Sequence, residues 1–215
     1  MEPFRIVIGN KNHSSWSLRA WLALKQTGAP FTEILVPLRQ PGWREEIARW
    51  SPGGRVPALH HGDLVVWESL AICEYLAEIF PEARLWPEDR AARAHARAMC
   101  SEMHAGFMAL RENMPFDLRN PDKRGQGMAP DVEKDIARIT GMWSECRARW
   151  GSGGDFLFGH FTVADAFYAP IAGRFHTYAP PLDDVARAYV ATIFALPAMQ
   201  EWLAAAEKEP WRLPS

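Results

Sequence analysis

The apolar positions change their rhythm near residue 81. Residues 4–8 form a short apolar run closed by the polar stretch 9–13, which reads as a strand and the loop that ends it. Ser14-Ser15-Trp16-Ser17 then opens an apolar segment over 18–27 that Gly28 stops, the start and stop signals of a helix. Residues 31–36 mix β-branched and aromatic side chains as a second strand does, and 43–50 read as a short helix ended by Ser51-Pro52-Gly53-Gly54. Strands at 56–60 and 64–67 are joined by His61-Gly62-Asp63, which fits a hairpin. Residues 69–80 read as a helix with Pro81 just beyond it. The first 81 residues therefore predict an α/β unit of order β-α-β-α-β-β-α.

Beyond this point the strand signal stops. The Ala-rich stretch 90–111 predicts one long helix, 131–150 a second, and 162–175, 185–195 and 197–207 three more, separated by Pro, Gly and Asn clusters. The proline-bounded segment 82–89 is suited to a linker, leaving 90–215 as an all-α second domain. No repeat of roughly 20 to 50 residues recurs, which argues against a solenoid.

Composition adds bounds. With 48% hydrophobic and 23% charged residues in 215, the chain has ample material for a core. Ten Trp residues point to a concave or associating surface. Lys plus Arg (24) nearly cancels Asp plus Glu (26), so no basic stripe is present and nucleic acid is not an expected partner. No apolar run reaches the roughly 18 residues of a membrane span, and Met1-Glu2-Pro3-Phe4-Arg5 carries no leader pattern, so a cytoplasmic protein is expected. Cys73, Cys100 and Cys146 are far apart and read as small buried hydrophobes, not a disulfide framework or zinc site. His60-His61 beside Asp63 lack a third ligand, so no metal is expected.

Three places could carry chemistry. Ser14-Ser15-Trp16-Ser17 sits at a strand-to-helix junction, where a serine caps the helix and where free N–H groups also favour an anion. A thiolate qualifies. Lowering a thiol pKa of about 8.5 by two units takes about 2.7 kcal/mol. One hydroxyl hydrogen bond to charged sulfur, roughly 1.5 to 3 kcal/mol, plus roughly 0.3 to 1 from the helix end, is enough. Val56-Pro57 opens an apolar strand, so it needs an edge position or a special geometry such as a cis bond, and Val56 could pair with an extended peptide. Ser69 is a natural helix cap that would also accept a carboxylate, while Glu68 could pair with an ammonium. On the first long helix, His104, Met108 and Arg111 recur at helical spacing and are expected on one face.

Together these residues resemble the cytosolic glutathione transferase superfamily, along essentially the whole chain. Ser14-Ser15-Trp16-Ser17-Leu18-Arg19 is similar to the Ser-Ser-Cys-x-x-Arg stretch of the zeta class, and Val56-Pro57-Ala58-Leu59 to the family's cis-proline strand. Glu68-Ser69-Leu70-Ala71-Ile72-Cys73-Glu74-Tyr75-Leu76 is close to its Glu/Gln-Ser-x-Ala-Ile-x-x-Tyr-Leu signature. Phe161-Thr162-Val163-Ala164-Asp165 resembles its C-domain capping box, which we assign to folding, since Thr162 and Asp165 are spaced to cap one helix start.

The resemblance implies a thioredoxin-like glutathione-binding domain over 1–81 and a helical domain that shapes the second-substrate pocket. It implies that Ser14, with Ser15 as fallback, bonds the glutathione sulfur, and that Val56 with Pro57 holds the cysteinyl backbone. Glu68 and Ser69 would take the γ-glutamyl end and Gln40 the glycyl carboxylate, with Trp16, His104, Met108 and Arg111 facing the second substrate. The implied activity is conjugation of glutathione, as cosubstrate, to a small electrophile by a homodimer. Trp16 stands where the zeta class carries cysteine, which weighs against the alternative of maleylacetoacetate isomerisation. The other alternative is a glutathione-binding module without catalysis.

Overall fold

The computed structural model describes residues 3–120 and 123–211. Met1 and Glu2, on which the leader reading partly rests, lie outside them, as does the end of the 90–215 unit.

Strands β1 (Phe4–Ile8), β2 (Phe31–Leu35), β3 (Ala58–His61) and β4 (Leu64–Trp67) form one sheet of order β2-β1-β3-β4. β1 runs parallel to β2, with Phe4 opposite Phe31, and antiparallel to β3, with Ile6 opposite Leu59. A parallel pair needs a crossover, which α1 (Ser15–Gln26) supplies. The period of two in β1 sorts its side chains. Phe4, Ile6 and Ile8 join the main core with α1 and α3 (Ser69–Ile79), while Val7 packs with Ile47 of α2 (Trp43–Trp50) in a smaller cluster.

The predicted β-α-β-α-β-β-α order is present, with two local differences. The strand expected over 56–60 starts at Ala58, after a cis Val56–Pro57 peptide. His61 belongs to β3, so the hairpin turn is only Gly62-Asp63, with Gly62 at φ 58°.

The remaining helices are α4 (Arg90–Ala105), α5 (Met108–Asn113), α6 (Pro130–Trp150), α7 (Val163–Tyr178), α8 (Asp184–Ala195) and α9 (Pro197–Glu207). α7 lies at the centre, packed on α1, α4 and α8, and of its residues only His176 reaches solvent. A helix apolar all round is a buried one. One apolar cluster runs from β1 through α1 into α4 and α7, so the core is continuous across the 82–89 segment.

The single helix expected over 90–111 is broken. Phe107 takes a left-handed conformation, and a Cβ on Gly106 would sit 2.9 Å from the Glu102 carbonyl oxygen. Arg111 folds back and donates to the carbonyls of Gly106 (2.9 Å), Met103 and His104, all of which a continued helix would have paired with its own amides. His104, Met108 and Arg111 therefore do not lie on one helix: His104 and Arg111 both come against the Trp16 ring, while Met108 is exposed.

The buried cysteines are the apolar fillers their isolation predicts, and burial pushes the Cys146 thiol up to about 12. Among the described residues no helix is long and apolar enough to cross a membrane.

Asp165 anchors the start of α7. Its carboxylate accepts from the Thr162 amide (2.8 Å) and hydroxyl (3.0 Å), the Leu157 amide (3.1 Å) and the Tyr189 hydroxyl (3.0 Å). Burial raises its pKa to about 6 against these four donors. Asp165→Ala strands them in a dry interior, so a loss of about 3 kcal/mol is expected, read as a lower urea midpoint at unchanged slope.

Candidate active site

The loop from Gly9 to Ser14 leaves the C-terminal end of β1 and delivers Ser14 as the cap of α1. Ser14 Oγ accepts from the Ser17 amide at 3.3 Å and lies 2.7 Å from Ser17 Oγ. Ser17 is fully buried, and its Oγ already accepts from the Gly9 amide at 3.0 Å. Either hydroxyl can donate in this pair, since Ser17 Oγ keeps a second lone pair; with Ser17 as the donor, the Ser14 proton is left for a partner outside the loop.

That partner would sit in a cavity of about 580 Å³, within the size range of small-molecule sites. Its floor is the start of α1, with His13, Ser14 and Trp16. One wall is α2 and the loop after it, with Trp43, Arg44, Ser51 and Arg55. The sheet edge adds Val56, Pro57, Trp67 and Glu68, and His104 closes the side toward the helices. Glu68 is held at φ 70°, a left-handed backbone unusual for a residue with a Cβ; such outliers cluster at functional sites.

Of the residues expected here, Ser14, Trp16, Val56, Pro57, Glu68 and His104 meet at this cavity. Ser15, Gln40, Ser69, Met108 and Arg111 do not line it. Ser15 is the first buried residue of α1, and Ser69, which opens α3, is buried with its hydroxyl unpartnered among the described residues. Arg111 spends its donors on α4 but lies over the Trp16 ring at 5.2 Å. Sequence reasoning missed His13, Ser17, Trp43, Arg44 and Arg55. Only Ser17 left a local trace, three residues after the capping serine, where a cap meets its partner. The others converge because α2 and the 51–57 loop fold beside the start of α1.

Behind Trp16 lies an unusual charge. Arg19 is fully buried, stacked on Trp16 (4.3 Å) and Phe167 (4.8 Å), and none of its guanidinium nitrogens has a hydrogen-bond partner among the described residues. Burial, then Arg111 and Arg174, push its pKa down to about 9, so it stays charged at neutral pH. His104 stands edge-on to Trp16 at 4.9 Å and 3.8 Å from Glu68. Burial and Arg19 hold its pKa below the ordinary histidine value despite Glu68, so the contact joins a carboxylate to a mainly neutral imidazole. Burial likewise lowers His13. The histidines near Ser14 thus carry little positive charge at neutral pH.

Residues 13–79 match the family model of the glutathione S-transferase N-terminal domain, and residues 129–205 that of its C-terminal domain. The chain belongs to the glutathione S-transferase family. It is 29% identical over 180 residues to a probable maleylacetoacetate isomerase of Caenorhabditis elegans, covering 82% of each chain. It is 28% identical to glutathione S-transferase Z2 of Arabidopsis thaliana, over 92% of this chain and 89% of that one. A glutathione transferase homolog from Burkholderia, solved with bound glutathione, superposes with a TM-score of 0.72 at 24% identity, covering 97% of this chain and 100% of that one, a likeness of fold.

Removing a buried charge that lacks hydrogen-bond partners among the described residues should not cost stability. Arg19→Met, of similar length, is expected to leave the fold intact and to hold or raise stability by about 1 kcal/mol in chemical denaturation. A clear loss would show that the guanidinium stabilises the fold.

Proposed function

We propose that this protein conjugates glutathione to a small electrophile, with Ser14 donating its hydroxyl proton to the sulfur and so favouring the thiolate. The observation that supports this most is Ser14 itself, which caps the start of α1, lines the cavity and has the Ser17 hydroxyl 2.7 Å away as a donor that can free its own proton. The α1 N-terminus and the buried guanidiniums add positive potential where the sulfur's negative charge develops. The thiolate attacks an electrophilic carbon: a carbon–sulfur bond forms, and a halide leaves or an activated alkene takes up a proton from solvent. Trp16 and His104 form the side that receives the electrophile, with Arg111 reinforcing Trp16 from behind.

Glutathione itself lies along the sheet edge in this reading. Val56, beside Pro57, pairs with its cysteinyl backbone, Glu68 takes the γ-glutamyl ammonium, and the first turn of α3 at Ser69 takes the adjacent carboxylate. Arg44 and Arg55 replace Gln40 as partners of the glycyl carboxylate, because they line the cavity and Gln40 does not. Residues 1–81 act as the glutathione-binding domain, 82–89 as the linker and 90–215 as the helical domain that completes the pocket. A cytoplasmic homodimer is the assembly we propose.

Isomerisation of an unsaturated acid through a glutathione adduct is the second reading. The name of the Caenorhabditis relative favours it, and Trp16 at the zeta-class cysteine position weighs against it.

Turnover of 1-chloro-2,4-dinitrobenzene provides the test. Ser14→Ala is expected to lower kcat/KM by about 10- to 100-fold and to move its pH profile toward the free thiol value near 8.5. Ser15→Ala should stay close to wild type. Ser17→Ala, which removes the hydroxyl partner of Ser14, should fall between them, about 3- to 10-fold down. Full turnover in both the Ser14 and Ser15 variants would refute the assignment.

A further inference from the structure

The loop that carries His13 and Ser14 is held by a residue nearly 200 positions away. Glu209 lies just past α9 and is buried. Its Oε1 accepts from the Lys11 amide at 2.6 Å and its Oε2 from the Asn12 amide at 3.1 Å. Two successive loop amides thus converge on one carboxylate, a bidentate charge-assisted contact of the stronger kind. Trp202 of α9 donates from its indole to the Lys11 carbonyl at 2.8 Å. Arg119 in turn holds the segment around Glu209, donating to the Glu209 carbonyl at 2.5 Å and the Trp211 carbonyl at 2.7 Å.

We propose that Glu209 is a positioning residue for the thiolate site: its carboxylate fixes the Lys11-Asn12 backbone and thereby sets where the Ser14 hydroxyl stands. The proposal rests on the reading of Ser14 given above. Only His13 separates Asn12 from Ser14, and the Ser14 amide donates to the Asn10 carbonyl at 2.7 Å across the same turn, so the turn passes position from one to the other. Glu209 is not among the lining; its charge is felt by His13, which is, and it is linked to Ser14 through the loop backbone. Its effect is on geometry, and a displacement of about 1 Å at a reacting group can cost up to about 100-fold in rate.

Glu209→Gln keeps the shape but turns one acceptor into an NH2 that faces a backbone N–H. With 1-chloro-2,4-dinitrobenzene, its kcat should fall about 10-fold, while the KM for glutathione stays within about 2-fold, because the tripeptide-binding wall is untouched. The pH at which the bound thiol ionises, followed by thiolate absorbance near 240 nm, should rise toward that of Ser14→Ala. Glu209→Asp, with both oxygens and a shorter reach, should recover part of the rate. Lys208→Gln, an exposed neighbour, serves as the control and should match wild type.

A folded Glu209→Gln protein with wild-type kcat and thiol ionisation, even at a lower melting temperature, would reduce Glu209 to a stability element and overturn the proposal. Loss of the fold in both Glu209 variants would do the same. These outcomes are separable from failure of the functional reading, since a wild-type protein that neither binds glutathione in calorimetry nor turns over the aryl halide removes that reading first and the proposal with it.

Discussion

The connection between β1 and α1 is the constraint on which the site depends. Asn10, Lys11, Asn12 and Ser14 are all buried there, although polar, so each backbone and side-chain group needs a partner. Many of the partners come from elsewhere in the chain, while Asn10 Nδ2 has none among the described residues. Asn10 Oδ1 accepts from the Leu38 amide, and Asn12 Oδ1 accepts from the amides of Leu118 and Arg119. The Lys11 ammonium pairs with Glu33 at 2.6 Å and stands about 5 Å from the rings of Trp21 and Trp202. A short loop that would be mobile on its own is thereby made as rigid as the core beneath it.

That rigidity requires both halves of the chain. α1 packs on the sheet on one side and on α7 on the other, so the helix whose first turn carries Ser14 is buried between the two. α7 is buried on every face except at His176, and Asp165 holds its start against Thr162 and Leu157. The cavity lies where these elements meet the sheet edge, which explains why its lining is drawn from α1, α2, the cis Val56–Pro57 segment, the start of α3 and the end of α4.

The electrostatics follow from the same packing. Arg19, Arg111 and Arg174 are drawn into one region without a carboxylate among their hydrogen-bond partners in the described residues; Arg111 and Arg174 donate to backbone carbonyls and Arg19 rests on aromatic faces. A low-dielectric interior screens them weakly, so they favour negative charge at the nearby start of α1. His104 and His13, held below their ordinary pKa, contribute little positive charge at neutral pH.

The element order, the Ser14 cap, the Thr162–Asp165 cap and the apolar character of the cysteines were legible in the sequence, because each depends on residues close along the chain. A run of apolar residues, a capping hydroxyl and a terminal glycine act within one or two turns, and their physics is local. The break after Ala105 was not legible, since it is decided by Arg111 folding back onto carbonyls that an unbroken helix would have used itself. Nor were Arg44, Arg55 or Glu209, whose parts depend on which surfaces come to face the start of α1. A sequence states what each segment prefers, but a cavity wall or a buried carboxylate between two amides exists only after distant segments have excluded water together.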